Sequence, residues 1–241
     1  MRHGQRIGVV IPALDEELGL GRVLADIPAW VDQVVVADNG SRDATVAVAE
    51  AAGATVVREP ERGYGAACQL GIAALDAIDI VVFLDGDYSD HPQEMAALVD
   101  PIALGAAVLV IGSRVTGDLA RGALTPQQRF GNWLACRLIR AIWGVAYTDL
   151  GPFRAISHAA LDTLAMTDRN FGWTVEMQIK AAQKGVRSTE VPVSYRPRIG
   201  VSKVSGTVKG TVLAGVTILR VIGQSAVATA RAASAARRLT R

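Results

Sequence analysis

Five short apolar runs alternate with segments of helical spacing along the first half of the chain. Ile7–Ile11, Val34–Ala37, Thr55–Val57, Ile80–Leu84 and Val108–Ile111 carry almost no charged side chain. Between them, Glu17–Ile27, Thr45–Ala52, Tyr64–Ala77 and Gln93–Ile102 place apolar residues three and four apart. Strand, helix, strand at this interval predicts βαβ units. Strands without a polar face predict a mostly parallel sheet with helices on both sides. The fold class read from the pattern is α/β.

In open α/β sheets, ligands bind beyond the carboxyl ends of the strands. Pro12-Ala13-Leu14-Asp15-Glu16 follows the first run, Asp38-Asn39-Gly40-Ser41-Arg42-Asp43 the second, and Asp85-Gly86-Asp87-Tyr88-Ser89-Asp90 the fourth. Asp43 is placed to cap the helix from Thr45. Acids at three strand ends together predict a polar rim able to hold a metal. Asp85 and Asp87 flank a glycine, and in an extended segment side chains i and i+2 point the same way. Both carboxylates then face one cation, and Gly86 leaves room for a ligand to approach the backbone. Oxygen donors suit Mg²⁺ or Mn²⁺, which keep positions open for phosphate oxygens. A turn with two solvated aspartates is the plainer alternative. Asp38-Asn39-Gly40-Ser41 offers donors and acceptors to a base or ribose. Arg58, Arg62 and Arg114 either meet phosphates or join surface ion pairs. Gly63-Tyr64-Gly65 lacks dinucleotide-binding spacing, since the next glycine is Gly71, and reads as a tight turn into a helix.

The second half differs. Thr125-Pro126-Gln127-Gln128 has capping-box spacing with proline at the first helical position. In the helix that follows, Phe130, Leu134, Leu138 and Ile142 share a face, with Trp133 and Trp143 beside it and Arg129, Arg137 and Arg140 as basic heads. This reads either as a membrane-surface helix or as a core-facing helix with snorkelling arginines. Gly151-Pro152 makes a loop of Thr148–Arg154, whose Asp149 and Arg154 either pair with each other or serve a site. Arg196, Arg198, Lys203 and Lys209 surround a Gly/Ser-rich stretch suited to closing over a diphosphate or clasping an acceptor phosphate. After Gly210 runs an Ala/Val/Leu-rich helix with a basic end.

Composition narrows the classes. The 241 residues are 50% hydrophobic and 20% charged, with a mean hydropathy of +0.28, which excludes a disordered chain. A net charge of +2 excludes a nucleic-acid polycation. The charge is uneven, however: from Val191 onward there are nine Lys/Arg and no Asp or Glu, so an anionic partner is expected there. Cys68 and Cys136 lie far apart without metal spacing, which predicts a reducing compartment. The first apolar run is too short for a signal peptide. Lys209 and Arg220 interrupt the C-terminal apolar stretch, so no spanning helix is expected.

Eight segments are then informative in their order: VVIPALDEE, VVVADNGSRDAT, EPERGYGAACQLGI, VVFLDGDYSDHP, GSR, TDLGPFRAI, GWTVEMQIKAA and VPVSYRPRIGVSKVSGT. Over about residues 7–210 the chain resembles the family-2 glycosyltransferases of GT-A fold, and within them the dolichyl/polyprenyl-phosphate sugar synthase-like branch. The resemblance implies a Rossmann-like nucleotide-sugar domain over 1–205, with a donor half to about 115 and an acceptor half to 205. A basic, amphipathic helical extension would follow over 206–241. It implies inverting transfer with a divalent metal. It puts Pro12, Leu14, Glu16 and Asp38 against the nucleotide, Asp85 and Asp87 on the metal, and Ser89 at a further metal contact. Asn39 replaces the commoner second aspartate of a DDGS motif. Asp149 and Arg154 fall near the acceptor phosphate, and the helix after Thr125 would meet a lipid-linked acceptor. Glu176 falls near the catalytic carboxylate of related enzymes that glycosylate hydroxyls. A hydroxyl acceptor needs a general base; a phosphate acceptor is already an anion, and Glu176 would then only position.

The expected function is metal-dependent transfer of a hexose, from GDP-mannose or UDP-glucose, to polyprenyl or dolichyl phosphate. The chain would act peripherally at the cytoplasmic membrane face, against anionic lipid, as a monomer or oligomer. Transfer to a soluble or glycan hydroxyl, with Glu176 as base, is the alternative. An aspartyl phosphatase and a non-catalytic nucleotide-binding protein are further readings, the first weakened because its acidic pair belongs on the first strand.

Overall fold

The computed structural model describes residues 1–200 and 208–239. Seven strands form one sheet: β1 (Ile7–Ala13), β2 (Gln33–Asp38), β3 (Thr55–Arg58), β4 (Ile80–Phe83), β5 (Leu109–Ser113), β6 (Arg154–Ser157) and β7 (Ser188–Pro192). Their order is β3-β2-β1-β4-β6-β5-β7. All neighbours are parallel except β6, which runs antiparallel to both β4 and β5. The sequence pattern omits β6 and β7. β6 has only four residues and begins with a buried arginine, and β7 is a polar edge strand of sequence STEVP.

The central strands are buried on both faces, with side chains alternating between two cores. Val9, Ile11 and Val82 pack under α1 (Glu17–Asp26), α2 (Thr45–Ala51) and α4 (Met95–Ala103). Val10, Val81 and Phe83 pack under α3 (Tyr64–Ala73), α5 (Pro126–Trp143), α6 (His158–Leu164) and α7 (Trp173–Gln183). Each such fully buried aliphatic side chain stabilises the fold by about 1.5–3 kcal/mol. Asp43 is not the N-cap of α2, which is Ala44; it stands one residue earlier, accepts from Thr45 N at 3.0 Å and from Glu17 N at 3.2 Å, and so joins the starts of α2 and α1. The capping box at Thr125 and Gln128 forms, and α5 ends at Gly144 with φ +75°.

α5 buries Ala135, Cys136 and Ile139. Phe130 and Trp133, which the spacing assigns to or beside its apolar face, are 62% and 55% exposed. α8 (Val208–Leu239) crosses α5 and α7. Its Ile218, Val221 and Ile222 join the core, and Thr229 Oγ1 accepts from Trp143 Nε1 at 3.1 Å and Gln183 Nε2 at 2.9 Å. Its outer residues Val212, Leu213, Val216, Leu219 and Val227 are exposed. Against the expectation of no span, Val212–Ala232 is long and apolar enough to cross a membrane. Two arginines, Arg220 and Arg231, lie within that stretch, and its hydropathy is still 1.5.

Candidate active site

β1, β2 and β4 end side by side, and the loops leaving them surround a cavity of about 260 Å³. Pro12, Leu14, Glu16, Asn39, Arg62, Asp85, Asp87 and Arg198 line it, all of them singled out from the sequence. Ala13, Gly63, Tyr64, Ala67, Gly86, Asn170 and Phe171 complete the lining.

The acidic pair sits in a turn rather than in an extended segment: β4 stops at Phe83, and Tyr88 has φ +63°. The turn packs against the start of α1, where a Cβ on Gly19 would stand 2.9 Å from the Gly86 carbonyl oxygen. Close approach therefore demands glycine at 19; at 86 a Cβ would meet Glu16 at an ordinary 3.5 Å. Asp85 Oδ1 accepts from Tyr64 Oη at 3.1 Å. Asp87 Oδ1 accepts from Ser89 N at 2.9 Å and Ser89 Oγ at 2.5 Å, and Asp87 Oδ2 lies 3.4 Å from Arg198 Nη1. Burial and the Asp87 charge push the Asp85 carboxyl up to about 7. Two mutually repelling carboxylates at one cavity are a donor set that a divalent cation fits. Among the described residues no group of three His, Cys, Asp or Glu is placed to hold a metal. The protein would supply two carboxylates and leave the other positions to water and phosphate, as Mg²⁺ commonly does.

Several expected site residues work beneath the cavity instead. Ser89, expected as a further metal contact, is fully buried, lies outside the cavity lining and gives its hydroxyl to Asp87, orienting that carboxylate. Asp38 does not line the cavity; it accepts from Gly40 N at 3.3 Å and Ser41 N at 3.0 Å, shaping a turn in which Gly40 has φ +85°. Arg62 closes over that turn through the Gly40 carbonyl at 3.2 Å. Asn39 donates to the carbonyls of Glu59 at 3.2 Å and Glu61 at 2.7 Å and accepts from Gly63 N at 2.8 Å. An aspartate could make only the last of these bonds, which accounts for asparagine here.

Asp149 and Arg154 neither pair with each other nor face the cavity. Both are 0% exposed. Asp149 takes a fork from Arg114, at 2.8 Å from Nε and 2.6 Å from Nη2, and Arg114 lies 4.9 Å from the centre of the Tyr195 ring. That pairing commits the Arg114 guanidinium to Asp149, and Arg114 does not line the cavity. Arg154 donates to the carbonyls of Leu150, Gly151 and Thr174, and burial pulls its pKa down to about 10. Arg196 stacks 3.4 Å over Tyr88 and donates to the Tyr88 and Asp90 carbonyls; it braces the acidic turn rather than entering the cavity. Glu176 also lies off the cavity lining. Its carboxylate accepts from Thr167 N and Oγ1, from Asp168 N and from Lys180 Nζ, anchoring the loop that carries Asn170 and Phe171. Lys203 lies outside the described residues.

Tyr64, Asn170 and Phe171 were not assigned from the sequence. The signal for Tyr64 was its flanking glycines. A Cβ on Gly63 or Gly65 would stand 2.0 or 2.1 Å from the carbonyl oxygen of Arg169 or Asp168. The Asp90 carboxyl, 1% exposed, has no hydrogen-bond partner among the described residues; burial and the Asp85 and Asp87 charges hold its pKa well above the carboxylate range.

This architecture is that of the GT-A glycosyltransferases. Glucosyl-3-phosphoglycerate synthase of Mycobacterium tuberculosis, solved with Mn²⁺, UDP and glucosyl-3-phosphoglycerate, matches with a TM-score of 0.75 at 24% identity, over 92% of this chain and 80% of that one. Its complex with Mg²⁺ and UDP matches at 0.73 and 26% identity, over 91% and 80%. The chain belongs to glycosyl transferase family 2, whose model matches residues 8–164. An uncharacterised glycosyltransferase of M. tuberculosis is 36% identical over 91% of this chain and 99% of its own. A dolichyl-phosphate hexose transferase of Haloferax volcanii is 32% identical, over 89% and 93%. An undecaprenyl-phosphate mannosyltransferase of Micrococcus luteus is 29% identical, over 88% and 93%.

Proposed function

We propose that the chain transfers glucose or mannose from a nucleoside-diphosphate sugar to a polyprenyl phosphate at a membrane surface. The observation that carries this reading is Glu176. The carboxylate nearest in sequence to a catalytic base is committed to Thr167, Asp168 and Lys180, and its pKa is lowered. Among the described residues lining the cavity, the only carboxylates are Glu16, which pairs with Arg198, and the Asp85/Asp87 pair. A hydroxyl acceptor would need a base; a lipid phosphate does not. The names of the Haloferax and Micrococcus relatives support such an acceptor. So do the exposed apolar residues of α5 and α8, helices that carry arginines and no acidic residue.

In this mechanism an acceptor phosphate oxygen attacks the anomeric carbon in line with the departing diphosphate, inverting the centre. Asp85 and Asp87 would hold Mg²⁺ or Mn²⁺, whose charge offsets the negative charge developing on the leaving group. Pro12, Leu14, Asn39 and Arg62 border the nucleoside, Tyr64 and Ser89 fix the two carboxylates, and Arg198 meets the diphosphate. The test is incubation with Mn²⁺, labelled UDP-glucose or GDP-mannose, and undecaprenyl phosphate in anionic vesicles. Label is expected in the chloroform phase only when the lipid phosphate is present. Label moving instead to 3-phosphoglycerate or another water-soluble acceptor would overturn the lipid acceptor.

A further inference from the structure

Arg198 reaches the cavity from the segment after β7 and links two acids across it. Its Nη2 donates to Glu16 Oε1 at 2.6 Å, and its Nη1 lies 3.4 Å from Asp87 Oδ2. The next residue, Ile199, donates its backbone N–H to the Asp87 carbonyl at 2.9 Å, which ties the segment to the acidic turn. The Arg198 Nε–H is buried and has no acceptor among the described residues. The side chain is 26% exposed, so it sits at the cavity wall rather than in bulk water.

We infer that Arg198 is an internal counter-ion to Asp87 which a divalent cation displaces, and that the released guanidinium passes to the nucleotide diphosphate. The inference deepens the reading of Asp85 and Asp87 as the cation site and rests on it. A cation held by Asp87 would stand beside a guanidinium, and like charges a few ångströms apart in a partly buried cavity repel strongly. Arg198 therefore opposes binding of the cation alone. A diphosphate would reverse the sign, because its negative charge attracts both the cation and the guanidinium. The guanidinium fork matches phosphate geometry, and its Nε–H is uncommitted to any acceptor among the described residues. Cation and nucleotide thus bind with positive coupling, and the coupling resides in one side chain.

Mn²⁺ uptake, followed by the electron paramagnetic resonance of free Mn²⁺, tests this on the full chain without nucleotide. Calorimetric titration with UDP, and in parallel GDP, at saturating Mn²⁺ gives the second affinity. Arg198→Gln is expected to bind Mn²⁺ alone more tightly than the parent and the nucleotide more weakly, each by about five- to tenfold. Arg198→Lys keeps the charge and is expected to keep the weak Mn²⁺ binding while losing nucleotide affinity. Unchanged or weaker Mn²⁺ binding by Arg198→Gln overturns the counter-ion role, and unchanged nucleotide affinity in both variants overturns the passage of the guanidinium to the diphosphate. Asp87→Asn separates the two levels. If it takes up Mn²⁺ as the parent does, the cation site itself is wrong. If it loses Mn²⁺ while Arg198→Gln gains none, only the role of Arg198 falls.

Discussion

Replacing Glu176 by glutamine separates an anchor from a base. The Glu176 carboxylate accepts from Thr167 N at 3.1 Å, Thr167 Oγ1 at 2.5 Å, Asp168 N at 2.8 Å and Lys180 Nζ at 2.8 Å. Burial alone would raise its pKa, but the bonds from Lys180, Thr167 and the Asp168 backbone outweigh burial and lower it. Glutamine keeps the shape, removes the charge, and turns one acceptor into a donor facing other donors. Hydrogen bonds to a charged group contribute about 1.5–3 kcal/mol each, so losing one and weakening the rest costs about 2–4 kcal/mol. A group with a depressed folded pKa contributes stability that is present above its unfolded pKa, about 4.3 for glutamate, and lost as pH falls through the folded value. Parent and variant therefore differ fully at neutral pH and converge in acid.

Urea unfolding and initial transfer rates across the neutral range read this out together. As an anchor, Glu176 can be replaced with a lower unfolding midpoint, a rate loss of less than about tenfold and an unaltered pH–rate profile. A general base contributes about 10²–10⁴ in rate. A loss of that size at an unchanged unfolding midpoint would refute the reasoning and restore a hydroxyl acceptor.

Other outcomes follow from the same contacts. Asp87→Asn is expected to abolish transfer and Mn²⁺ uptake in the same assays, and to lower the Asp85 pKa, which burial and the Asp87 charge together push up to about 7. For the same reason Mn²⁺ affinity falls by about tenfold per pH unit once Asp85 protonates below about 7. Without metal, the sign for stability is opposite: a raised folded pKa contributes stability at low pH that is lost as pH rises through about 7, which thermal melts with and without Mn²⁺ will show. Gly65→Ala drives a Cβ to 2.1 Å from the Asp168 carbonyl oxygen and is expected to cost about 1–3 kcal/mol in urea unfolding. Arg114→Met strands the Asp149 carboxylate, 0% exposed, and is expected to cost about 3–5 kcal/mol in the same assay.

The sequence by itself determined the core strands and the edge of the sheet where chemistry gathers. β1, β2 and β4 are apolar on both faces, and that pattern has only one low-energy arrangement, a sheet between two helix layers. Once their parallel alignment is given, Leu14, Glu16, Asn39, Asp85 and Asp87 must leave at the same edge, and they line one cavity. The sequence also held the cap at Thr125, because its side chain acts on backbone three residues away.

Only the tertiary structure decided which polar group meets which. Asp149 finds Arg114 rather than Arg154, Ser89 serves Asp87, Glu176 holds a loop, and Arg198 crosses 182 positions to reach Glu16. It also placed β6 antiparallel between β4 and β5. Apolar periodicity reports burial, which each residue registers locally. The choice among partners of equal charge depends on distances of a few ångströms between remote segments, and those exist only once the sheet has closed its order.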